Sequence, residues 1–203
     1  MKISAGNVPT ENRSDPAVQP ISVHALLSDR HSAALVDNQG NVVWLCFPRF
    51  DSPSVFAALL DQDAGYWSIS PEGPSSTTRA YVASSMVLNT SFVTADGEVD
   101  LVDALALGDS GDPHRLGQNA EHLLVRVVHC TRGRARIRMQ FQPRPEYGLV
   151  VPLLAPVPGG LLARGGPDTL TLSTPIDLDI DRNGASGSFD LREGEKVYFG
   201  LHH

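Results

Sequence analysis

Apolar and polar residues alternate along almost the whole chain after residue 19, and turn residues separate the alternating segments. Residues 33–47 alternate on both sides of Asn-Gln-Gly, residues 86–103 on both sides of Asp-Gly, and residues 122–142 on both sides of Arg-Gly. Alternation with a period of two around such turns predicts β-hairpins. The chain is therefore expected to form at least three hairpins.

The same alternation predicts further strands and one helix. The additional strands fall at residues 66–70, 169–174, 176–180, 187–191 and 196–201. About ten strands at this spacing indicate a large antiparallel β-sandwich, so the predicted fold class is all-β. The helix is predicted over Ser52–Asp61, because Ser52 is a good N-cap, Pro53 suits the first helical position, and apolar residues recur along 55–60. Trp44 lies in a predicted strand and is expected to be buried.

Composition narrows the class of protein. The 203 residues are 41% hydrophobic and 19% charged, which is typical of a globular protein. Residues 1–19 show no hydrophobic period and are predicted to be a flexible arm, followed by one domain over residues 20–203. The start of the chain has no apolar signal-peptide core, and two cysteines suit a reducing compartment, so we expect a cytoplasmic protein. A net charge of −7 argues against a general nucleic-acid binder.

One block of the sequence carries a family resemblance. Residues 44–60 read Trp-Leu-Cys-Phe-Pro-Arg-Phe-Asp-Ser-Pro-Ser-Val-Phe-Ala-Ala-Leu-Leu, and residues 143–148 read Pro-Arg-Pro-Glu-Tyr-Gly. Shorter matches are Pro-Ile-Ser at 20–22, Met-Val-Leu-Asn-Thr at 86–90, Val-Asp at 102–103 and Leu-Val-Arg at 124–126. In order and spacing, these segments resemble the N-terminal domain of bacterial and archaeal glycoside hydrolase family 15 enzymes, the glucoamylase-like and trehalase-like group.

The resemblance implies a fold and a function. The fold would be a supersandwich, a large galactose-mutarotase-like β-sandwich. The function would be that of a non-catalytic domain packed against an (α/α)6 barrel, in the same chain or in a separate one, and this barrel supplies the catalytic glutamates. The parent enzyme would hydrolyse α-glucosidic bonds of trehalose or of malto- or isomalto-oligosaccharides, and this chain alone would be inactive. The sequence departs from the family pattern at Val23-His24, where Asp-Tyr is usual, and at Pro145-Glu146-Tyr147, where Phe-Asp-Tyr is usual.

The candidate contact residues lie in two segments. Arg49 presents a planar fork to a sugar hydroxyl, a carboxylate or a partner domain, and Asp51 is positioned to accept from it; the alternative is an ion pair that only stiffens the loop. Arg144, Glu146 and Tyr147 are candidates for contact with substrate or with the catalytic domain, through the resemblance. The chain carries neither a zinc-ligand spacing nor a phosphate-binding loop, so no metal or cofactor is expected.

Two surfaces are candidates for docking. Arginines at 132, 134, 136 and 138 form either a solvated sheet face or a surface for an acidic partner. The apolar run 149–154 forms either a docking face, through which the chain could also form a homodimer, or an edge segment folded into its own core. Two other functions stay open. One is a carbohydrate-binding module for glucose-containing oligosaccharides; the other is a mutarotase-like enzyme, which requires a histidine facing a carboxylate in a cleft.

Overall fold

The computed structural model describes residues 20–108 and 111–203, and the regular secondary structure of this part of the chain is almost wholly β-strand. Two short 3-10 helices accompany the strands, at Ile21–Val23 and Pro113–Arg115. The strands are β1 Ala25–Ser28, β2 Ala33–Val36, β3 Val42–Cys46, β4 Ser54–Phe56, β5 Tyr66–Pro71, β6 Ser76–Tyr81, β7 Leu88–Val93, β8 Gly97–Leu105, β9 Leu123–Gln142, β10 Leu153–Val157, β11 Gly160–Gly165, β12 Asp168–Ser173, β13 Asp179–Ile180, β14 Ala185–Arg192 and β15 Lys196–His202. The predicted all-β class is confirmed. The predicted arm, residues 1–19, lies outside the described residues.

The strands form two antiparallel sheets that share one long strand, β9. The first sheet contains β1 to β5, β13, β14 and the second half of β9. The second sheet runs in the order β6-β7-β8-β9-β15-β12-β11-β10 and uses the first half of β9. Inward side chains of both sheets meet in one hydrophobic core. The sandwich therefore closes around a single apolar interior.

The third predicted hairpin is wrong, because residues 123–142 form one continuous strand. Arg132 and Gly133 do not reverse the chain; they pair with Glu98 and Gly97 at the start of β8. Gly133 takes a positive φ of 68° there, which glycine tolerates without a steric cost. The buried positions of β9 are even-numbered up to Cys130 and odd-numbered from Ala135 onward. At the Arg-Gly pair, where the strand passes from one sheet to the other, the inward-facing positions thus change from even-numbered to odd-numbered residues.

The predicted helix over Ser52–Asp61 is also wrong. Residues 54–56 form β4, which pairs with β3, and all three side chains are buried. The next backbone N–H groups bond to distant carbonyls: Ala57 to Ala64, and Leu59 to Val43. A helix would bring only one side of this segment into the core. The consecutive apolar side chains here gain more burial from strand pairing, so only a short turn around residue 60 follows.

The prediction that Trp44 is buried is wrong. Trp44 is only partly buried, on the outer side of β3, whereas Trp67 in β5 is completely inaccessible. Trp67 packs edge-to-face against Phe141 and Phe199, which come from different sheets. Trp67 is therefore the aromatic anchor of the core. Among the described residues, no helix has the length and apolar character needed to cross a membrane.

Candidate functional site

The Arg49–Asp51 pair closes an exposed turn between β3 and β4. Arg49 Nε donates to Asp51 Oδ1 at 2.8 Å, and Nη2 donates to Oδ2 at 3.2 Å. The hydrogen bond from Arg49 lowers the pKa of Asp51 below its ordinary value. Ser52 Oγ accepts from the Arg49 backbone N–H at 3.2 Å, so the turn also closes without the ion pair. The two side chains are about two-thirds exposed, which leaves their outer edges accessible to a partner.

Arg144 is buried and holds the second candidate segment in place. Its Nη1 donates to its neighbour Pro143 O at 2.8 Å, and its Nη2 donates to Asn183 O at 2.9 Å. Its backbone N–H bonds to Val55 O in β4 at 2.9 Å. Since the side chain is buried and two of its donors bond to carbonyls of the same domain, Arg144 holds the loop in place.

Glu146 and Tyr147 adopt an uncommon backbone conformation. Their φ angles are 56° and 58°, and Gly148 follows at 93°. Two successive non-glycine residues in the left-handed region cost about 1–3 kcal/mol each, and such strain clusters at functional positions. The conformation leaves half of the Tyr147 side chain in solvent and sets its ring 6.3 Å from that of Trp44. The two aromatic rings thus form an accessible pair beside β4.

Both candidate segments adjoin β4. The Tyr147 backbone N–H bonds to Ser54 O at 3.4 Å, and Ser54 follows Asp51 by three residues. Within residues 20–108 and 111–203, no ion pair links Arg49 or Asp51 to Glu146. The arrangement offers two neighbouring sets of contact groups.

An exposed apolar row continues from Tyr147 along the chain. Tyr147, Leu149, Val151 and Leu153, hereafter the rim row, point outward at every second residue, and Leu149 is 86% exposed. The intervening residues turn inward: Pro152 is buried, and Leu154 packs against the core. In the predicted docking segment 149–154, the odd-numbered residues are thus exposed, whereas Pro152 and Leu154 face the core. Successive apolar residues in solvent are typical of an interaction surface.

The arginine face of β9 carries its own counter-charges. Arg136 contacts Glu72 at 3.3 Å and Asp190 at 3.0 Å. Arg132 contacts Glu98 at 2.8 Å. These exposed pairs favour a solvated sheet face over a surface that awaits an acidic partner.

A fully buried ion pair was not anticipated as a site. Arg126 in β9 lies directly opposite Asp103 in β8, and Nε donates to Oδ1 at 2.9 Å and Nη2 to Oδ2 at 3.2 Å. Arg126 also donates to Trp67 O and Gly40 O of the first sheet, and its guanidinium lies 5.0 Å from the Trp67 ring centroid. Burial raises the pKa of Asp103, and the Arg126 charge opposes that rise. The pair fastens one sheet to the other.

Other features give weaker indications of chemistry. An open groove of about 390 Å³ lies between the β10–β11 turn and residues 174–180. The histidine–carboxylate contact, His203 Nε2 to Asp168 Oδ1 at 3.2 Å, does not line that groove. Within the described part of the chain, no cluster of three or more His, Cys, Asp or Glu residues is arranged to hold a metal.

Fold and surface together define a β-sandwich domain with accessible contact groups, and comparison with known proteins gives its family. The trehalase-like N-terminal family matches residues 14–191, so the chain belongs to that family. It is 34% identical to the trehalase of Mycobacterium tuberculosis and 35% identical to that of Mycolicibacterium smegmatis, each over 90% of this chain. It is 38% identical to trehalase 1 of Sulfolobus acidocaldarius over 61% of this chain. The chain spans 29% and 30% of the length of the two mycobacterial trehalases, and the match covers 19% of the Sulfolobus protein.

Proposed function

We propose that this domain supports the catalytic part of a glycosidase that hydrolyses the α-glucosidic bond of trehalose. The observation that supports this proposal is that two trehalases match 90% of this chain, although the chain spans less than a third of their length. The substrate follows from the relatives, which are named trehalases, and favours trehalose over malto- or isomalto-oligosaccharides. The domain holds the catalytic part by contact and contributes no acid or base of its own.

The contact residues follow from their exposure. The rim row and the outer edges of Arg49 and Asp51 meet the catalytic part, since they present apolar area beside charge in solvent. Arg144 fixes the loop, and the left-handed conformation of Glu146 and Tyr147 sets the direction of the aromatic ring. Buried free Cys46 and Cys130 agree with a cytoplasmic location for the enzyme.

A chimera tests this function. This chain replaces the matched region of the Mycolicibacterium smegmatis trehalase, and glucose release from trehalose is measured for the chimera, for the truncated trehalase and for this chain alone. We expect turnover by the chimera in the usual enzymatic range of about 10 s⁻¹ and none by this chain alone. The truncated trehalase should be inactive or poorly stable. Turnover of that order by this chain alone, or an inactive chimera, contradicts the proposal.

A second role, contact with sugar, is favoured by the aromatic pair alone. Trp44 is accessible and lies beside Tyr147, whereas Trp67 is sealed in the core. Titration of the isolated chain with trehalose should then change the fluorescence of Trp44, and Trp44→Phe should abolish the change. An unchanged spectrum at saturating sugar leaves the supporting role as the function of these residues.

A further inference from the structure

The outward side of the second sheet has an unusual composition for a solvent-facing surface. Three cross-strand rows cover its centre, and their partners follow from the register of the strands. The rows are Ala155-Leu162-Thr171-His202-Leu123, Val157-Gly160-Ser173-Gly200-Val125-Ala104 and Tyr198-Val127-Val102-Asn89-Ala80. None of these residues is Asp, Glu, Lys or Arg. We refer to the three rows as the uncharged face.

Charged groups border the uncharged face on both sides. The row beyond one side contains Arg164, paired with Leu153 of the rim row. The row beyond the other side contains Lys196 and Asp100, which both pair with His129. An uncharged, mostly apolar centre with a charged border is the anatomy of a protein interface, in which the core lacks charge and the rim carries it.

The other outward face of the same sandwich shows what a solvated sheet surface looks like in this protein. There the second half of β9 presents Arg134, Arg136 and Arg138, whereas the first half presents Leu123, Val125 and Val127. Both halves belong to one strand and are central in their sheets. The contrast indicates that the uncharged face is adapted to a covering partner rather than to water.

The area of the face distinguishes between a second copy and a tethered partner. Six strands spaced by about 4.8 Å and three rows spaced by about 7 Å give about 500–600 Å². A stable complex of separate chains needs about 800 Å² on each partner. Interfaces between domains of one chain bury about 600–1,500 Å² in total, which this face satisfies. Since a tether supplies a high effective concentration, a tethered occupant suffices with the smaller area.

We infer that the uncharged face is the surface on which the catalytic part of the trehalase lies, as an apolar, uncharged partner in the same polypeptide. This inference rests on the proposed function and extends it. Leu153 of the rim row lies in the row next to the uncharged face at the β10 edge, so the two surfaces adjoin.

Thiol labelling of cysteines introduced one at a time tests which face is covered. Val127→Cys places a small thiol within the uncharged face, and Gln140→Cys is the matched control on the outward side of the other half of β9. Native Cys46 and Cys130 are buried, so the unsubstituted chain gives the background. Each variant is labelled as the isolated chain and within the Mycolicibacterium smegmatis chimera described above.

We expect the chimera to slow labelling at residue 127 by roughly tenfold or more relative to the isolated chain, while residue 140 labels equally fast in both. Equal rates at residue 127 overturn the inference. The inference is also overturned if residue 127 labels slowly in the isolated chain at high concentration and fast after dilution. The face is then covered by a second copy of the chain. Activity of the chimera on trehalose separates the two proposals. If the chimera is active but residue 127 labels as fast as in the isolated chain, only the inferred interface is contradicted. If the chimera is inactive, the proposed function is contradicted and the inference with it.

Discussion

Two Arg–Asp pairs in this domain have nearly the same geometry and opposite surroundings. Arg126–Asp103 and Arg49–Asp51 both join Nε to Oδ1 at 2.8–2.9 Å and Nη2 to Oδ2 at 3.2 Å. The first pair is inaccessible to solvent, whereas the second is about 70% exposed. In the interior, loss of one partner strands a charge, but at the surface water replaces it. Geometry alone therefore says little about what an ion pair contributes.

The largest expected effect comes from breaking the buried pair. Arg126→Met leaves the Asp103 carboxylate unpaired in the core and removes the donors to Trp67 O and Gly40 O. We expect a loss of about 3–5 kcal/mol in the free energy of unfolding, measured by urea denaturation. Adding Asp103→Leu should restore part of that loss, because no charge then remains buried. A double variant less stable than Arg126→Met would contradict this account of the pair.

The two tryptophans give the same comparison with an apolar side chain. Trp67→Ala should cost about 3–5 kcal/mol of unfolding free energy, because it empties a fully buried site between the sheets. Trp44→Ala removes a ring that is already partly in solvent, so it should cost about 1–2 kcal/mol. Chemical denaturation of both variants measures the difference. Equal losses would show that the outer surface of β3 is packed as tightly as the core.

Adjacent leucines extend the comparison to the start of β10. Leu154 packs against the core, so Leu154→Asp should destabilise the domain by about 1–3 kcal/mol. Leu153 is 74% exposed, and Leu153→Asp should change stability by less than about 0.5 kcal/mol. Thermal unfolding of the two single variants separates these roles. A destabilised Leu153→Asp variant would mean that the rim row belongs to the fold rather than to an interface.

The smallest effect is expected at the exposed pair. Arg49 lowers the pKa of Asp51, so the pair favours the folded state above the ordinary aspartate pKa, and this contribution disappears as the pH falls through the lowered value. Arg49→Gln should return the pKa of Asp51 to its ordinary range, as followed by NMR titration of the carboxyl. The midpoint of denaturation should stay the same, since Ser52 still closes the turn. A shifted midpoint at neutral pH would contradict this comparison.

Alternation in the sequence was enough to predict the fold class, but not the partners of the strands. Strands at residues 66–70, 187–191 and 196–201 were predicted locally and are present. Residues 122–142 were misjudged because Arg-Gly is a good turn, and only the distant partners β8 and β14 show that it is a phase shift. The helix at Ser52–Asp61 was misjudged for a related reason: β4 pairs with β3, and the N–H of Leu59 bonds to Val43 O in that strand.

The site residues were harder to predict, because accessibility depends on tertiary packing. Arg144 matched the family pattern yet is buried, whereas Tyr147 is exposed because of a backbone conformation that composition does not indicate. One signal was available for the buried pair. Arg126 has the same parity as Leu124 and Val128, so alternation alone places it on the inward face. A charged residue at an inward-facing position of a strand predicts a buried partner of opposite charge. Asp103 meets this expectation, because it lies at an inward-facing position of β8.

Strand β9 links the two sheets, and we expect this link to make unfolding cooperative. It pairs with β8 and β15 in one sheet and with β5 and β14 in the other, so neither sheet can separate without breaking the same strand. These pairings join residues far apart along the chain, which slows folding because large loops must close first. Calorimetric and spectroscopic melting should coincide in a single transition, with no temperature range in which one sheet survives alone. Because both sheets contain β9, we expect them to unfold together, although their outer surfaces differ in composition.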